Sequence, residues 1–330
     1  MTVNKSNPKL DLSDIYSPIV ESLDKVKDKI SSLKDDKYSD ISPLVKHVIS
    51  SKGKKIRPAI TVLSSKFYPN DGVTSETMAA AVELLHIATL IHDDTVDNSN
   101  MRRGKETVSS LWGVDEAVVL GDYMFAASAT FVCDTGNIRV IRRFAETIME
   151  LSKGQMNELA NAFSPEQNMK DYLDRIYNKT ASLFATAAES GAILSGAEEN
   201  IVCALRTYGV NFGIGFQLID DILDIASSTE KTGKPVGNDI LQGITTLPVL
   251  TYKKNNPKDE CIERYFENPD DLQRVDEILD KIGSDSVIDE CLDIAYRYKQ
   301  KATKALESLP HTIERDCLHD LLEYVFLDGR

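Results

Sequence analysis

Five cysteines in 330 residues (Cys133, Cys203, Cys261, Cys291, Cys317) form no CxxC pair and leave an odd count. A disulfide framework and a zinc site both need clustered cysteines, so neither is expected, and a reduced, cytoplasmic setting is. No apolar stretch reads as reaching the roughly 18 to 20 residues that span a bilayer, so no integral membrane segment is expected. The opening "MTVNKSNPKLDLSD" has no apolar h-region and does not read as a secretory signal; residues 1–12 read as a flexible tail. Cations are also scarce: 38 Lys and Arg face 52 Asp and Glu, a formal charge of −14. Such a surface repels nucleic acid and anionic lipid, so no nucleic-acid partner is expected and any basic patch must be local. Fixed-period repeats, low-complexity tracts and alternating strands are missing too.

What remains is helix. "ETMAAAVELLHIATLIHDD", with Thr74 and Ser75 in front as candidate caps, "TASLFATAAESGAILSGA" and "VNFGIGFQLIDDILDIA" are long and apolar. Residues 166–180 and 286–308 read as amphipathic helices, and 227–243 and 253–260 as loops. With 42% hydrophobic residues the chain can bury a large core. The reading is an all-α fold: residues 13–330 as one large helical bundle around a central cavity.

The apolar runs carry acids. Asp93, Asp94 and Asp97 form a DDxxD pattern, and positions i and i+4 share a helix face about 6 Å apart along the axis. Asp93 and Asp97 can therefore grip one ion or ion pair. Carboxylates suit Mg²⁺, which often binds through one or two of them plus substrate phosphates. His86 and Thr89 extend the same polar face through an otherwise apolar segment. "DDILD" repeats the pattern at Asp220, Asp221 and Asp224, with Gln217 on their face. A solvated helix end explains a lone DDxxD. Two of them inside apolar helices are costly unless a cation compensates, so the two helices are expected to face each other across a cavity.

The basic residues suggest what the metal would hold. "SKGKKIRP" gives Lys52, Lys54, Lys55 and Arg57; "MRRGK" gives Arg102 and Arg103; "NKT" gives Lys179 and Thr180; "TGKP" gives Lys234. Any one of these is ordinarily a surface charge. Together with carboxylates and Mg²⁺ they point to a diphosphate, since arginine's planar fork matches phosphate oxygens. "TGKP" lacks the glycine and hydroxyl of a P-loop, and "GVNFGIG" has its glycines in the wrong order for a dinucleotide fold.

From about residue 45 to 250 the chain resembles the all-trans polyprenyl diphosphate synthase family. "GKKIRP", "DDTVD", "MRRGK", "NKT", "FQLIDD", "DDILD" and "GKPVGND" carry the likeness. The resemblance implies an isoprenoid synthase-like all-α bundle, usually a homodimer, that adds isopentenyl diphosphate to an allylic diphosphate. It implies Mg²⁺, three ions per site, on Asp93, Asp97 and Asp220, with Asp94, Asp221 and Asp224 in support. It assigns Lys54, Arg57, His86 and Arg103 to isopentenyl diphosphate. Arg102, Lys179, Thr180, Gln217 and Lys234 fall to the allylic diphosphate. Two positions depart from the family: Lys52 stands where a glycine is usual, and Ile244 where a lysine is.

Ala88 and Thr89, five and four residues before Asp93, occupy positions where short-chain relatives tend to have Phe or Tyr. Both are small here, which leaves room for a product of about C30 to C50, because one helical turn of about 5.4 Å matches roughly one isoprene unit. Met124 or Phe125 could form a deeper floor. The alternatives are a geranylgeranyl or farnesyl diphosphate synthase, a terpene cyclase or head-to-head synthase, and a non-catalytic synthase subunit. A cyclase does not usually need the second diphosphate site, and a non-catalytic subunit generally loses one acidic cluster.

Overall fold

The computed structural model describes residues 10–35, 41–50, 53–226 and 237–328. They form seventeen α-helices, with a few single turns between: α1 (Leu12–Tyr16), α2 (Val20–Ser31), α3 (Ser42–Ile49), α4 (Ile56–Ser65), α5 (Val73–Val96), α6 (Val108–Trp112), α7 (Val114–Asp134), α8 (Ile138–Asn161), α9 (Met169–Ile176), α10 (Ser182–Leu194), α11 (Glu199–Ala226), α12 (Asn238–Leu241), α13 (Leu247–Asn255), α14 (Cys261–Glu267), α15 (Leu272–Ile282), α16 (Asp285–Glu307) and α17 (Ile313–Asp328).

The all-α reading holds, and the differences are local. Asp11 caps α1 by accepting from the Ser13 N–H at 2.8 Å, so Leu12 opens the first helix. Residues 1–9 lie outside the described residues. Gly72, at φ +77°, precedes α5; Thr74 and Ser75 sit inside its first turn. Asn70 and Asp71 take up the Gly72 and Val73 N–H groups at 2.8 and 3.0 Å, so no hydroxyl cap is needed. The loop expected at 253–260 starts three residues late, because α13 continues to Asn255. Two strands of two residues each, β1 (Met101–Arg102) and β2 (Lys105–Glu106), make a hairpin directly after the first acidic cluster. Arg103 and Gly104 turn it with φ +50° and +75°, the positive pair that a tight hairpin needs.

α5 runs through the core; every residue from Ser75 to Leu85 is buried. It packs against α7, α4, α2 and α10, while α11 packs between α10 and α16. The two acid-bearing helices, α5 and α11, thus each meet α10. Alanine, serine and glycine dominate α10 and permit close approach: at Gly191 an added Cβ would lie 2.2 Å from the Thr61 carbonyl oxygen of α4.

α7 departs from expectation. It is 21 residues long with a mean hydropathy of 1.3 in its most apolar window, enough by length and composition to cross a bilayer, and only 33% of that window is buried. Asp115, Glu116 and Asp122 break the run in the sequence and hide the average. Val114, Val118 and Val119 of α7 lie exposed, as do Leu111 and Trp112 of α6 and Ile138, Met149, Met156 and Leu159 of α8.

Candidate active site

Two cavities open beside the C-terminal end of α5. The larger, about 290 Å³, is basic at one end and apolar at the other. Lys54, Lys55, Arg57, His86, Arg102 and Arg103 supply the first; Ile87, Leu90, Ile91, Phe184 and Phe216 supply the second. Lys54 and Lys55 come from the loop before α4. The Tyr16 hydroxyl donates to the Lys54 carbonyl at 2.8 Å, and the Lys54 ammonium lies 4.9 Å from the centre of the Tyr324 ring, so helices from both chain ends hold this loop. Lys55 and Arg103 have φ of +53° and +50°, strained for non-glycine residues, and both line this one cavity. The Arg103 guanidinium lies so close over Gly53 that an added Cβ would sit 2.8 Å from its Nη1.

Arg57 is the cation most ready for a ligand. Its guanidinium stacks 4.2 Å from the Phe184 ring centre, and its buried Nε finds no hydrogen-bond partner among the described residues. Burial lowers its pKa to about 10, with Glu83 opposing and Arg103 adding to the shift. Burial, then the charges of Arg57, Arg103, Arg102 and Lys55, push His86 well below its usual range, so it works as a neutral imidazole. Lys55 is partly answered by Glu83 at 2.8 Å. Arg102 Nε donates to both Asp94 oxygens at 2.7 Å, a clamp from the hairpin onto the helix.

The smaller cavity, about 140 Å³, is lined by Asp97 of the first cluster and Asp221 of the second, with Lys179, Thr180 and Gln217 between them. Two segments 124 residues apart thus meet at one space, as the paired motifs led one to expect. Lys179 lies in a wide π-type turn, Tyr177–Ala181, a distortion frequent at functional sites. The turn presses on α8 at Gly154, where an added Cβ would come 2.7 Å from the Lys179 backbone nitrogen. Lys179 pairs with Glu158 of α8.

A hydrogen-bonded row aligns the second cluster: Thr180 donates to Gln217 Oε1 at 2.8 Å, and Gln217 donates to Asp221 Oδ1 at 2.8 Å. Tyr172 donates to Asp221 Oδ2 at 2.6 Å. Burial nevertheless pushes the Asp221 carboxyl well up. Burial raises Asp93 to about 6 against the pull of Lys179, with Asp97 and Glu158 pushing the same way; Asp97 is raised as well. Asp239 is raised by burial and then by Asp221, Asp224 and Asp220. This cavity is lined by more carboxyl groups than cations.

Among the described residues no three His, Cys, Asp or Glu side chains form a ready metal cage. The donors lining the cavity are carboxylate oxygens from separate segments of the chain, which suits a hard divalent cation completing its shell with ligand phosphates and water. Asp97 and Asp221 line the smaller cavity and fit that task; Asp93, one helical turn before Asp97, lines neither cavity. Asp220 is exposed and Asp221 buried, so the supporting aspartate, rather than the expected ligand, lines the cavity. Arg102, expected beside the allylic group, lines the basic cavity, although its charge still acts on Asp93 and Asp97. Asp224 accepts the Gly237 N–H on its carbonyl at 3.0 Å and the Asp239 N–H on its carboxylate at 3.3 Å, tying α12 to the end of α11. Lys52 and Lys234 lie outside the described residues. Ala88 is buried and Thr89 half-buried, its hydroxyl donating to the His86 carbonyl at 2.8 Å; neither lines either cavity. Met124 is buried, and Phe125 stacks 5.5 Å from His92.

Glu158, Tyr172, Arg175 and Asp239 were not singled out by sequence. Asp239 was within reach, as the last residue of "GKPVGND". Arg175 and Lys179 share a helical spacing of four. Nothing local marks Glu158, which gains its place only when α8 packs on the π-turn.

Paired carboxylate walls beside a basic, greasy cavity in an all-helical bundle define a diphosphate-handling prenyltransferase. A profile of the polyprenyl synthetase family matches residues 39–282, and the chain belongs to that family. Heptaprenyl diphosphate synthase component 2 of Bacillus subtilis (strain 168) is 34% identical over 310 residues, 94% of this chain and 89% of the relative. The decaprenyl diphosphate synthase structure from Rhodobacter capsulatus superposes with a TM-score of 0.91 at 31% identity, covering 97% of this chain and 100% of the other. A polyprenyl synthase from Caulobacter crescentus CB15, complexed with calcium and isoprenyl diphosphate, gives 0.91 at 31% identity, covering 97% and 98%.

Proposed function

We propose that this chain elongates an allylic diphosphate with isopentenyl diphosphate, in a Mg²⁺-dependent reaction, to an all-trans product of about C30 to C50. The observation that carries this reading is the cavity shared by Asp97 and Asp221 next to one lined by Arg57, His86 and Arg103. The heptaprenyl and decaprenyl names of similar proteins support a medium or long product, and the calcium-bound relative supports a divalent cation on the aspartates.

Bound at Asp93, Asp97 and Asp221, Mg²⁺ would supply the positive charge on which the allylic diphosphate departs. Lys179, and Lys234 as the resemblance assigns it, share the charge developing on the leaving oxygens. Thr180 and Gln217 keep Asp221 oriented. Arg57, Arg103 and Lys54 hold isopentenyl diphosphate so that its alkene faces the allylic carbon that loses diphosphate. A carbon–carbon bond forms as the carbon–oxygen bond breaks, and a proton leaves, most simply to the departing diphosphate. Neutral His86 donates a hydrogen bond without adding charge. The apolar end of the larger cavity starts the path for the growing chain; small Ala88 and Thr89 leave the face of α5 below it unblocked.

Residues 13–330 act here as one domain in a cytoplasmic protein. The apolar surface of α6, α7 and α8 fits a second copy of this chain in a homodimer. A "component 2" relative makes a different subunit the other outcome. Light scattering of the purified chain separates the two: a mass near twice 36.7 kDa supports the homodimer. The function is tested with Mg²⁺, labelled isopentenyl diphosphate and farnesyl or geranylgeranyl diphosphate. Repeated incorporation into products of six to ten isoprene units is expected; a single addition or a cyclic hydrocarbon would contradict the reading.

A further inference from the structure

We propose that Arg175 is a positioning residue for leaving-group binding, acting through Glu158; this rests on reading the smaller cavity as the allylic diphosphate site. Four carboxylates (Asp97, Glu158, Asp221, Asp239) and two cations (Arg175, Lys179) line that cavity among the described residues. Such a balance opposes an anionic ligand, so how the two cations are deployed matters. Lys179 is half-buried beside the ligand space. Arg175 also lines it but is only 3% exposed.

All three faces of the Arg175 fork are engaged. Nη2 donates to the Thr245 carbonyl at 2.6 Å, and Nη1 donates to Gln167 Oε1 at 2.9 Å. Nε lies 3.9 Å from Glu158 Oε2. One side chain thus joins the end of α8, the loop after it and the turn that carries Ile244 and Thr246 into the cavity. The loop is held independently: the Phe163 N–H donates to the Gly243 carbonyl at 2.9 Å, and Gln167 Nε2 to the Asn161 carbonyl at 2.9 Å.

The consequence runs through Glu158. Its Oε1 pairs with Lys179, while its Oε2 faces Arg175. With Arg175 present, the buried carboxylate shares its charge between two cations, and Lys179 keeps positive potential to offer a diphosphate. Without Arg175, Glu158 falls wholly to Lys179, because a buried carboxylate claims whatever cation remains. The ligand would then compete with Glu158 for the one cation at its side.

Steady-state kinetics on Arg175→Gln, Glu158→Gln and the double variant test this. Arg175→Gln should raise the KM for geranylgeranyl diphosphate about tenfold and leave that for isopentenyl diphosphate within about twofold, the size expected for one lost charged hydrogen bond. Adding Glu158→Gln should recover the allylic KM to within about threefold of the unaltered protein, because the two changes are coupled. An unchanged allylic KM in Arg175→Gln, an equal rise in both KM values, or no recovery in the double variant would overturn the proposal. Should Arg175→Gln not fold, Arg175→Lys serves. It keeps the charge, so an allylic KM within about threefold supports the proposal and a tenfold rise overturns it. An unaltered chain that fails to elongate would sink the reading of the cavity, and this proposal with it.

Discussion

The two cavities solve the same problem in opposite ways. The larger offers protein cations to negative charge: Lys54, Lys55, Arg57, Arg102 and Arg103 line it beside the neutral His86, on a strained loop and a strained hairpin. The smaller is lined by four carboxyl groups against two cations, and burial raises the pKa of Asp97, Asp221 and Asp239 among them. A diphosphate that must stay attached through the reaction suits the first. A diphosphate that must leave suits the second, where the protein withholds a full set of cations and metal ions can supply them. The difference between them is the difference between holding a substrate and activating one.

The largest expected effect breaks the second cavity. Asp93→Ala or Asp221→Ala should lower kcat by at least about a thousandfold, as loss of transition-state charge stabilisation does. Asp220→Ala separates ligand from bystander: near-abolished turnover returns Asp220 to the role the resemblance assigned, and a loss under about tenfold leaves it to Asp221. Arg57→Ala probes the first cavity. It should raise the KM for isopentenyl diphosphate about a hundredfold and leave the allylic KM nearly unchanged, because it removes a charged, prepositioned donor. A matched rise in both would merge the two sites.

Proton linkage sharpens the contrast. The Asp93 pKa is raised from 3.8 to about 6, so the folded chain keeps a proton that the unfolded chain releases. Stability from this source is full below about pH 4 and is lost as pH rises through about 6. Mg²⁺ competes for the same oxygens. Saturating Mg²⁺ should therefore raise Tm on the order of 5 °C at pH 8 and much less at pH 5. Equal shifts at both values would show that the ion binds elsewhere. The smallest effect concerns the growing chain: Ala88→Phe should shift products shorter by one or more isoprene units with little loss of turnover, and an unchanged distribution would move the floor to Met124 or Phe125.

Much of this was legible in the chain itself. The helices followed from apolar periodicity, and both aspartate clusters from their spacing, because an i, i+4 pair shares a face wherever the helix goes. The π-turn at Tyr177–Ala181 and the hairpin at Met101–Glu106 were not legible. The turn depends on a partner distant in sequence, Gly154, and the hairpin on the Arg102–Asp94 clamp, a side-chain contact that no backbone pattern announces. Which aspartate of each pair faces inward was also hidden, since adjacent residues differ by 100° around a helix and only packing sets the rotation. Glu158 and Arg175 belong to the same class: ordinary residues on amphipathic helices until α8, α9 and the 243–246 turn meet. The exposed apolar surface of α7 was masked by Asp115, Glu116 and Asp122.

Diffraction from crystals grown with Mn²⁺ and a non-reactive allylic thiodiphosphate, with data at the manganese edge, tests the central claim most directly. The account predicts anomalous peaks between the two helices, bridged to Asp93 and Asp97 on one side and to Asp221 on the other. Peaks on one cluster only, or none in the smaller cavity, would contradict it.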